Sequence, residues 1–440
     1  MPEQKHYPID RVTYPIRKFM EEEKAGGIVL GISVIIALVL ANSSLSHEYH
    51  HFLEHKLGFQ FDGKPFLEYS IHHWINDGLM SIFFFVVGLE LKREIVGGEL
   101  SNPRKALLPI GAALGGMLVP ALIYLSFNPS GEVHSGWGIP MATDIAFALG
   151  VLYLLGSKIP TSLKVFLTAL AIVDDLGAVL VIAFFYTSDI SLFSLSLGLS
   201  FIAVMYLGNK LGVRSILFYA IIGIAGVWTA FLLSGVHATI AAVLAAFTIP
   251  ADIRLKESEY SIKIQRYLNE FNKIDPNDNI PTLTHHQLHI LDKAKEATIK
   301  VIPPLQRLEH TMHPFVTFVI IPIFAIANAG VSLDIDTELL FSNNIAIGVA
   351  LGLLVGKVVG VVGFTFGMVK LNIAPFPSGM NLKNLFGLGL LASIGFTMSL
   401  FITSLAFTHE EYMVQSKIGI FTASLIGGIL GYIVLKKASK

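Results

Sequence analysis

At 440 residues, 53% hydrophobic and only 14% charged, with a positive mean hydropathy, the chain has a membrane composition. A soluble globular protein carries about 25% charged residues. A net charge of −1 gives no sign of nucleic-acid binding, and the lack of cysteine excludes a disulfide framework and a thiolate metal site. Long apolar runs recur to the C-terminus, so residues 1–440 read as one transmembrane domain.

The polar start, with Lys5, Arg11, Arg17, Lys18 and Lys24, precedes an apolar run over 26–41. A cleavable signal peptide would have a shorter n-region without Glu21-Glu-Glu23, so an uncleaved first helix is expected. Runs of about 20 apolar residues then predict spans at 76–95, 106–127, 138–155, 165–186, 190–207, 215–233, 236–249, 314–331, 345–369, 385–407 and 418–435. That makes an all-α polytopic protein of about twelve spans. Lysines and arginines fall in alternate loops: Lys92, Arg93, Arg104, Lys105, Lys158, Lys164, Lys210, Arg214, the stretch 254–307, Lys370, Lys383, Lys436 and Lys437. The intervening loops hold only Lys56, Lys64 and Lys417, and this alternation predicts both termini in the cytoplasm.

Two segments depart from plain membrane helix. The first outer loop, 43–73, carries His47, His50, His51, His55, His72 and His73. His47, His51 and His55 would share one helix face, which allows a metal site; a solvated loop is the plainer expectation. The cytoplasmic insert, about 251–313, is the only sizeable soluble piece. Ile262, Ile264, Leu268 and Phe271 predict a short amphipathic helix, 275–279 a turn, and 286–301 a second helix.

The charges inside the spans are the informative set. Asp174 and Asp175 stand mid-way along 165–186, where each charge costs roughly 2.5–3.5 kcal/mol to insert. Asp77 and Glu90 lie in the second span, Asp144 in the fourth and Lys357 in the tenth. Neighbouring residues on a helix point about 100° apart. One aspartate of the pair can therefore meet Lys357 while the other faces a water-filled cavity.

The fourth span is interrupted at Gly136-Trp-Gly-Ile-Pro140, just before Thr143-Asp144, and the eleventh at Ser393-Ile-Gly395, just before Thr397. Paired interruptions in corresponding positions of two halves point to a transporter binding site. Broken helices present half-helix dipoles at mid-membrane, whose positive ends favour an anion and negative ends a cation; Asp144 and Lys357 suit those tasks. The alternative for either interruption alone is glycine used for close helix packing.

At these residues the chain resembles the bacterial NhaA-type sodium/proton antiporters. The matching stretches include Trp74-Ile-Asn-Asp77, Val87-Gly-Leu-Glu90-Leu-Lys-Arg-Glu94, Ala142-Thr-Asp-Ile-Ala-Phe, Ala171-Ile-Val-Asp-Asp-Leu-Gly177, Ser234-Gly-Val-His-Ala-Thr239, Arg307-Leu-Glu-His310, Ile326-Ala-Asn-Ala-Gly330, Gly356-Lys357 and Ile394-Gly-Phe-Thr-Met398. They run in order from the second span to the eleventh.

The resemblance implies an inverted-repeat fold over spans three to five and ten to twelve, with the two interrupted helices crossing at mid-membrane. It implies exchange of intracellular Na+ or Li+ for external H+, electrogenic and activated by pH, in the bacterial inner membrane. By position, it makes Asp175 the main cation ligand and Asp174 the partner of Lys357, with Thr143 beside the site. Asp144 compensates the helix dipoles, and Glu90, Glu94, Glu309 and His310 form a cytoplasmic cluster that responds to pH. The insert is longer than in short-loop members, which leaves open whether that response is set in the same way.

No cofactor and no resident metal are expected, Na+, Li+ and H+ being cargo. The expected partners are membrane lipids and these ions, a homodimer being left open. An intramembrane aspartyl protease would also use paired carboxylates, but the Gly-x-Gly-Asp stretch that such proteases share is missing and Lys357 would have no task. A channel or a sodium-coupled symporter on a related fold is the remaining alternative.

Overall fold

The computed structural model describes residues 14, 18–20, 22, 24–61, 64–187, 190–274, 282–332, 344–377 and 379–438, without the side chains of 59–61, 64–66 and 157. Among the described residues twelve helical segments correspond to the expected spans. They are Ala25–Ala41, 71–97, Pro103–Phe127, Glu132–Tyr153, Thr161–Phe185, Leu192–Lys210, Ile216–Leu232, Ala238–Thr248, Pro304–Asn328, Asn344–Lys370, 382–406 and Glu410–Ala438; we number them as spans one to twelve.

Seven have the length and composition to cross a membrane alone, and up to nine if each of two bent pairs counts as one span. The seventh and eighth are short. The second carries Glu90, Lys92, Arg93 and Glu94 in its last turns, which lowers its hydropathy without ending the helix. The chain is therefore the all-α membrane protein that its composition predicts, and two large apolar cores stand out among the described residues. The larger one joins spans one to five with nine to twelve and takes in Ile240 and Val243 of span eight. The smaller joins the end of span two with spans six to eight through Leu89, Met205, Val227, Phe231 and Ala241.

Spans three and ten pack backbone to backbone: a Cβ at Gly115 or at Gly360 would strike the other residue's carbonyl oxygen. Small residues allow such an approach where lipid offers no hydrophobic drive to association. The fourth span starts as a 3-10 helix, Glu132–Met141, holding Pro140. It passes through extended backbone at Ala142 and Asp144, and resumes as Ile145–Tyr153. The eleventh is Leu382–Ala392 and Phe396–Ala406, bent by 44° at the break. Gly395 serves both readings of its glycine, since a Cβ there would run into Ser399, Leu353 and the Ala142 carbonyl of the other broken span.

Three expectations change. The segment expected as the first outer loop is structured, with a helix Ser46–Glu54 and an antiparallel hairpin of strands Lys56–Phe61 and Lys64–Ser70. Alternating Leu57, Phe59 and Phe61 ahead of Asp62-Gly63 is a hairpin signal hidden behind the histidines. Those histidines do not converge on one point. His47 and His51 stack at 6.2 Å and His51 meets the His55 ring edge-on at 4.6 Å, but His55 sits past the helix end at ψ 134, its Nδ1 2.7 Å from the His51 carbonyl. Among the described residues no group of three His, Asp or Glu is arranged to hold a metal.

The ninth span begins at Pro304, ten residues before the apolar run, because a proline suits the first helical turn and the helix tolerates Arg307, Glu309 and His310. The insert is consequently shorter, a pair of helices Glu257–Asn272 and His285–Val301 that pack on each other, with Tyr260 Oη 3.1 Å from Thr298 Oγ1. The turn expected at 275–279 lies outside the described residues.

Candidate ion site at the broken spans

The two interruptions meet at the middle of the bundle, and Asp144 joins them. As the N-cap of Ile145–Tyr153, it accepts a hydrogen bond from the Phe147 N–H at 2.9 Å on Oδ1. Its Oδ2 accepts from the Thr397 N–H at 3.0 Å and the Thr397 hydroxyl at 2.5 Å, at the start of Phe396–Ala406. One carboxylate thus faces the positive ends of two half-helices, each of which favours an anion.

Its own N–H donates to the Ile394 carbonyl at 2.7 Å, and Ser399 Oγ donates to the Ile139 carbonyl at 2.8 Å. The orphan carbonyls at the broken ends thereby find partners, as buried backbone groups require.

Asp174 and Asp175 lie on the fifth span beside this crossing, both buried. Lys357 reaches across from the tenth span to donate to Asp174 Oδ2, with both side chains fully enclosed. The Thr143 hydroxyl lies 2.8 Å from the same oxygen and 2.9 Å from the Ala392 carbonyl, the last of the eleventh span's first half. A hydroxyl has one proton to give. Thr143 can serve the carboxylate, or turn to the carbonyl when Asp174 needs nothing from it.

Asp175 has no such company. Among the described residues neither of its carboxylate oxygens has a hydrogen-bond partner, and Asp174 Oδ1 lacks one too. Three buried carboxylate oxygens without partners are costly unless something else satisfies them. Asp175 also borders a cavity of about 380 Å³, lined at one end by Glu22, Glu90 and His313 and at the other by Asp144, Asp175 and Thr397. Asp174 and Lys357 do not line it.

At the mouth of this cavity Glu90 lies 3.9 Å from His313 Nε2. Arg93 lies between Glu94, 3.0 Å away, and Glu309, 3.1 Å away. His310, the residue after Glu309, is exposed. Asp77 belongs to the opposite end of span two, in a π-helical turn Trp74–Leu79, with His73 Nε2 3.2 Å from Oδ2. It is not part of the central cluster.

Sequence reasoning passes over Thr397 and His313 as site residues. Thr397 stands where the second half of a broken helix starts, so asking what meets that helix end would find it. His313 is one turn beyond the expected cluster at His310.

A family model described as Na+/H+ antiporter 1 matches residues 17–435. The chain is 46% identical over 430 residues to Na(+)/H(+) antiporter NhaA 1 of Saccharophagus degradans, covering 97% of this chain and 92% of that one. It is 47% identical over 429 residues to Na(+)/H(+) antiporter NhaA of Oleidesulfovibrio alaskensis, covering 98% and 95%. With the protein of the same name from Acidithiobacillus ferrooxidans it shares 46% over 429 residues, covering 97% and 98%.

Proposed function

The chain belongs to the Na+/H+ antiporter 1 family, and from that membership and the geometry of the crossing we propose that it exchanges Na+, or Li+, for H+. The setting is a bacterial cytoplasmic membrane with both termini inside, where exchange extrudes sodium. The observation that carries the site assignment is the contrast within one dyad: Asp174 Oδ2 is held by Lys357 and Thr143, while among the described residues neither oxygen of Asp175, beside a cavity, has a partner.

Sodium is a hard cation that favours oxygen ligands, and a proton competes for the same carboxylate oxygens. Asp175 therefore holds one or the other. Drawing Asp174 Oδ1 into the sodium shell weakens the Asp174–Lys357 pair, and a buried ammonium without its carboxylate is expensive. Lys357 then has reason to release a proton in the same step. Two protons leave for each sodium bound, and the cycle moves net charge. Protonating Asp174 instead frees the Thr143 hydroxyl to turn toward Ala392, which links occupancy of the site to the end of a broken helix.

Glu90 and His313 line the cavity, with Arg93 and Glu94 on the same helix as Glu90, and Glu309 and His310 on the same helix as His313. Interacting ionisable groups gain and lose protons as a set and not singly, and we assign the response to pH to this group. A channel or a symporter gives Lys357 no task. Na+ uptake into proteoliposomes with and without an imposed pH gradient tests the reading. Uptake that follows the gradient supports exchange, and uptake that ignores it removes this proposal.

A further inference from the structure

The cavity that borders Asp175 opens toward Glu90 and His313. A second cavity, of about 910 Å³, lies at the other end of the bundle, lined among others by Ala121, Glu132, Trp137, Phe185 and His409. Between it and the dyad sits a small separate core of Met117, Ala121 and Met141, with Trp137 and Val181 packed against it. Trp137 in turn meets the Phe185 ring edge-on at 5.0 Å.

Each methionine is tied to the site, Met141 by sequence and Met117 by space. Met141 is two residues before Thr143. Met117 follows Gly116, where a Cβ would lie 3.7 Å from Lys357 Nζ. On the fifth span Asp174, Ala178, Val181 and Phe185 share a face at i, i+4, i+7 and i+11. That face runs from the dyad, past the methionine core, to the second cavity.

We propose that Met117 and Met141 close the path between the dyad and this second cavity, as an apolar gate that must part for ions to leave on that side. The proposal rests on reading the chain as an exchanger with its ions at Asp174 and Asp175. Thioethers offer sodium no hard oxygen ligand, and an apolar constriction holds water back. Methionine is unbranched and turns about three bonds, so it can seal the gap and swing aside without moving a helix. Gly177 is its seat: a Cβ there would overlap the Met117 sulfur and lie 2.7 Å from its terminal methyl. Gly177→Ala must therefore push the thioether off the closed position, and a flexible side-chain end moves cheaply.

The chain contains no cysteine, so single-cysteine reporters need no background cleared. Ala178→Cys, in protein reconstituted in liposomes, is reacted from each side with an impermeant quaternary-ammonium methanethiosulfonate. Thr408→Cys, exposed at the second cavity, identifies that side. From there the thiol introduced by Ala178→Cys is expected to react slowly, at least tenfold faster once Met117→Ala or Gly177→Ala is added, and still slowly with Met117→Leu. Fast reaction with the gate intact, or no acceleration in both loosened variants, overturns the proposal. Val181→Cys takes the same comparison if Ala178→Cys disturbs insertion. The labelling is read without sodium or a pH gradient, so it can fail while exchange itself stands.

Discussion

Asp144 and Asp175 are both buried carboxylates beside the broken spans, and their surroundings are opposite. Asp144 accepts three hydrogen bonds and faces two helix ends, whereas neither oxygen of Asp175 has a partner among the described residues. Saturating a carboxylate with fixed backbone donors makes it a joint, because any movement loses several bonds at once. Leaving one bare beside a cavity makes it a place where cargo can supply the missing partner. Burial alone does not tell the two apart; the donor count does.

The sharpest way to break this comparison is Asp175→Asn. It removes the charge where no hydrogen bond depends on it, so Na+-driven proton movement should vanish while insertion and thermal midpoint stay unchanged. Exchange persisting at several pH values would mean that the bare carboxylate is not the ligand.

Lys357→Gln tests the region between the two extremes, since it strips a buried charge of its partner at a cost of about 3–5 kcal/mol. A clear fall in thermal midpoint is expected. In surviving protein the dependence of the apparent KM for Na+ on pH should flatten. With two competing protons KM falls by up to about a hundredfold per unit rise in pH, and with one by about tenfold, by proton linkage. Unaltered stability together with an unaltered slope would defeat both roles of Lys357.

Asp144→Asn keeps an acceptor at the crossing but removes the charge facing two helix ends. A loss of about 1–2 kcal/mol in stability, from the charge–dipole attraction at both ends, is expected, with exchange slowed and not abolished. Total loss of exchange in stable protein would move Asp144 from joint to ligand.

The smallest effect belongs to the mouth of the cavity. Replacing Glu309 and His310 together should displace the pH–activity profile by about one unit while the maximal rate holds, the scale on which coupled groups shift one another. An unmoved profile would leave this cluster as an ordinary solvated face.

Much of this arrangement is legible in the chain itself. Asp174-Asp175 in an apolar run, Lys357 in another and the two glycine-marked interruptions point to the middle of the bundle, because charge and broken helix are costly in lipid wherever they occur. What escapes is set by partners far away in sequence. Thr397 takes its place from Asp144, 253 residues earlier, and no local pattern encodes that. The start of the ninth span is hidden because Arg307, Glu309 and His310 fall in its first turns, so hydropathy undercounts a helix that continues to Asn328. The hairpin after the first span is obscured by neighbouring histidines that suggest a metal. The methionine gate looks like any apolar stretch until two cavities are seen on either side of it.

The insert between spans eight and nine ends where it begins: the N–H groups of Arg254 and Leu255 both donate to the Lys300 carbonyl, at 3.1 and 3.3 Å. A segment whose ends are pinned together transmits little of its own length to what holds it, and the entropy of loop closure grows only slowly with size. The helical pair is thus a side branch on a closed neck, open to lengthening, shortening or replacement by a foreign domain while the spans on either side keep their register. Such a neck is a natural grafting point for a fluorescent or affinity module on an otherwise membrane-embedded machine.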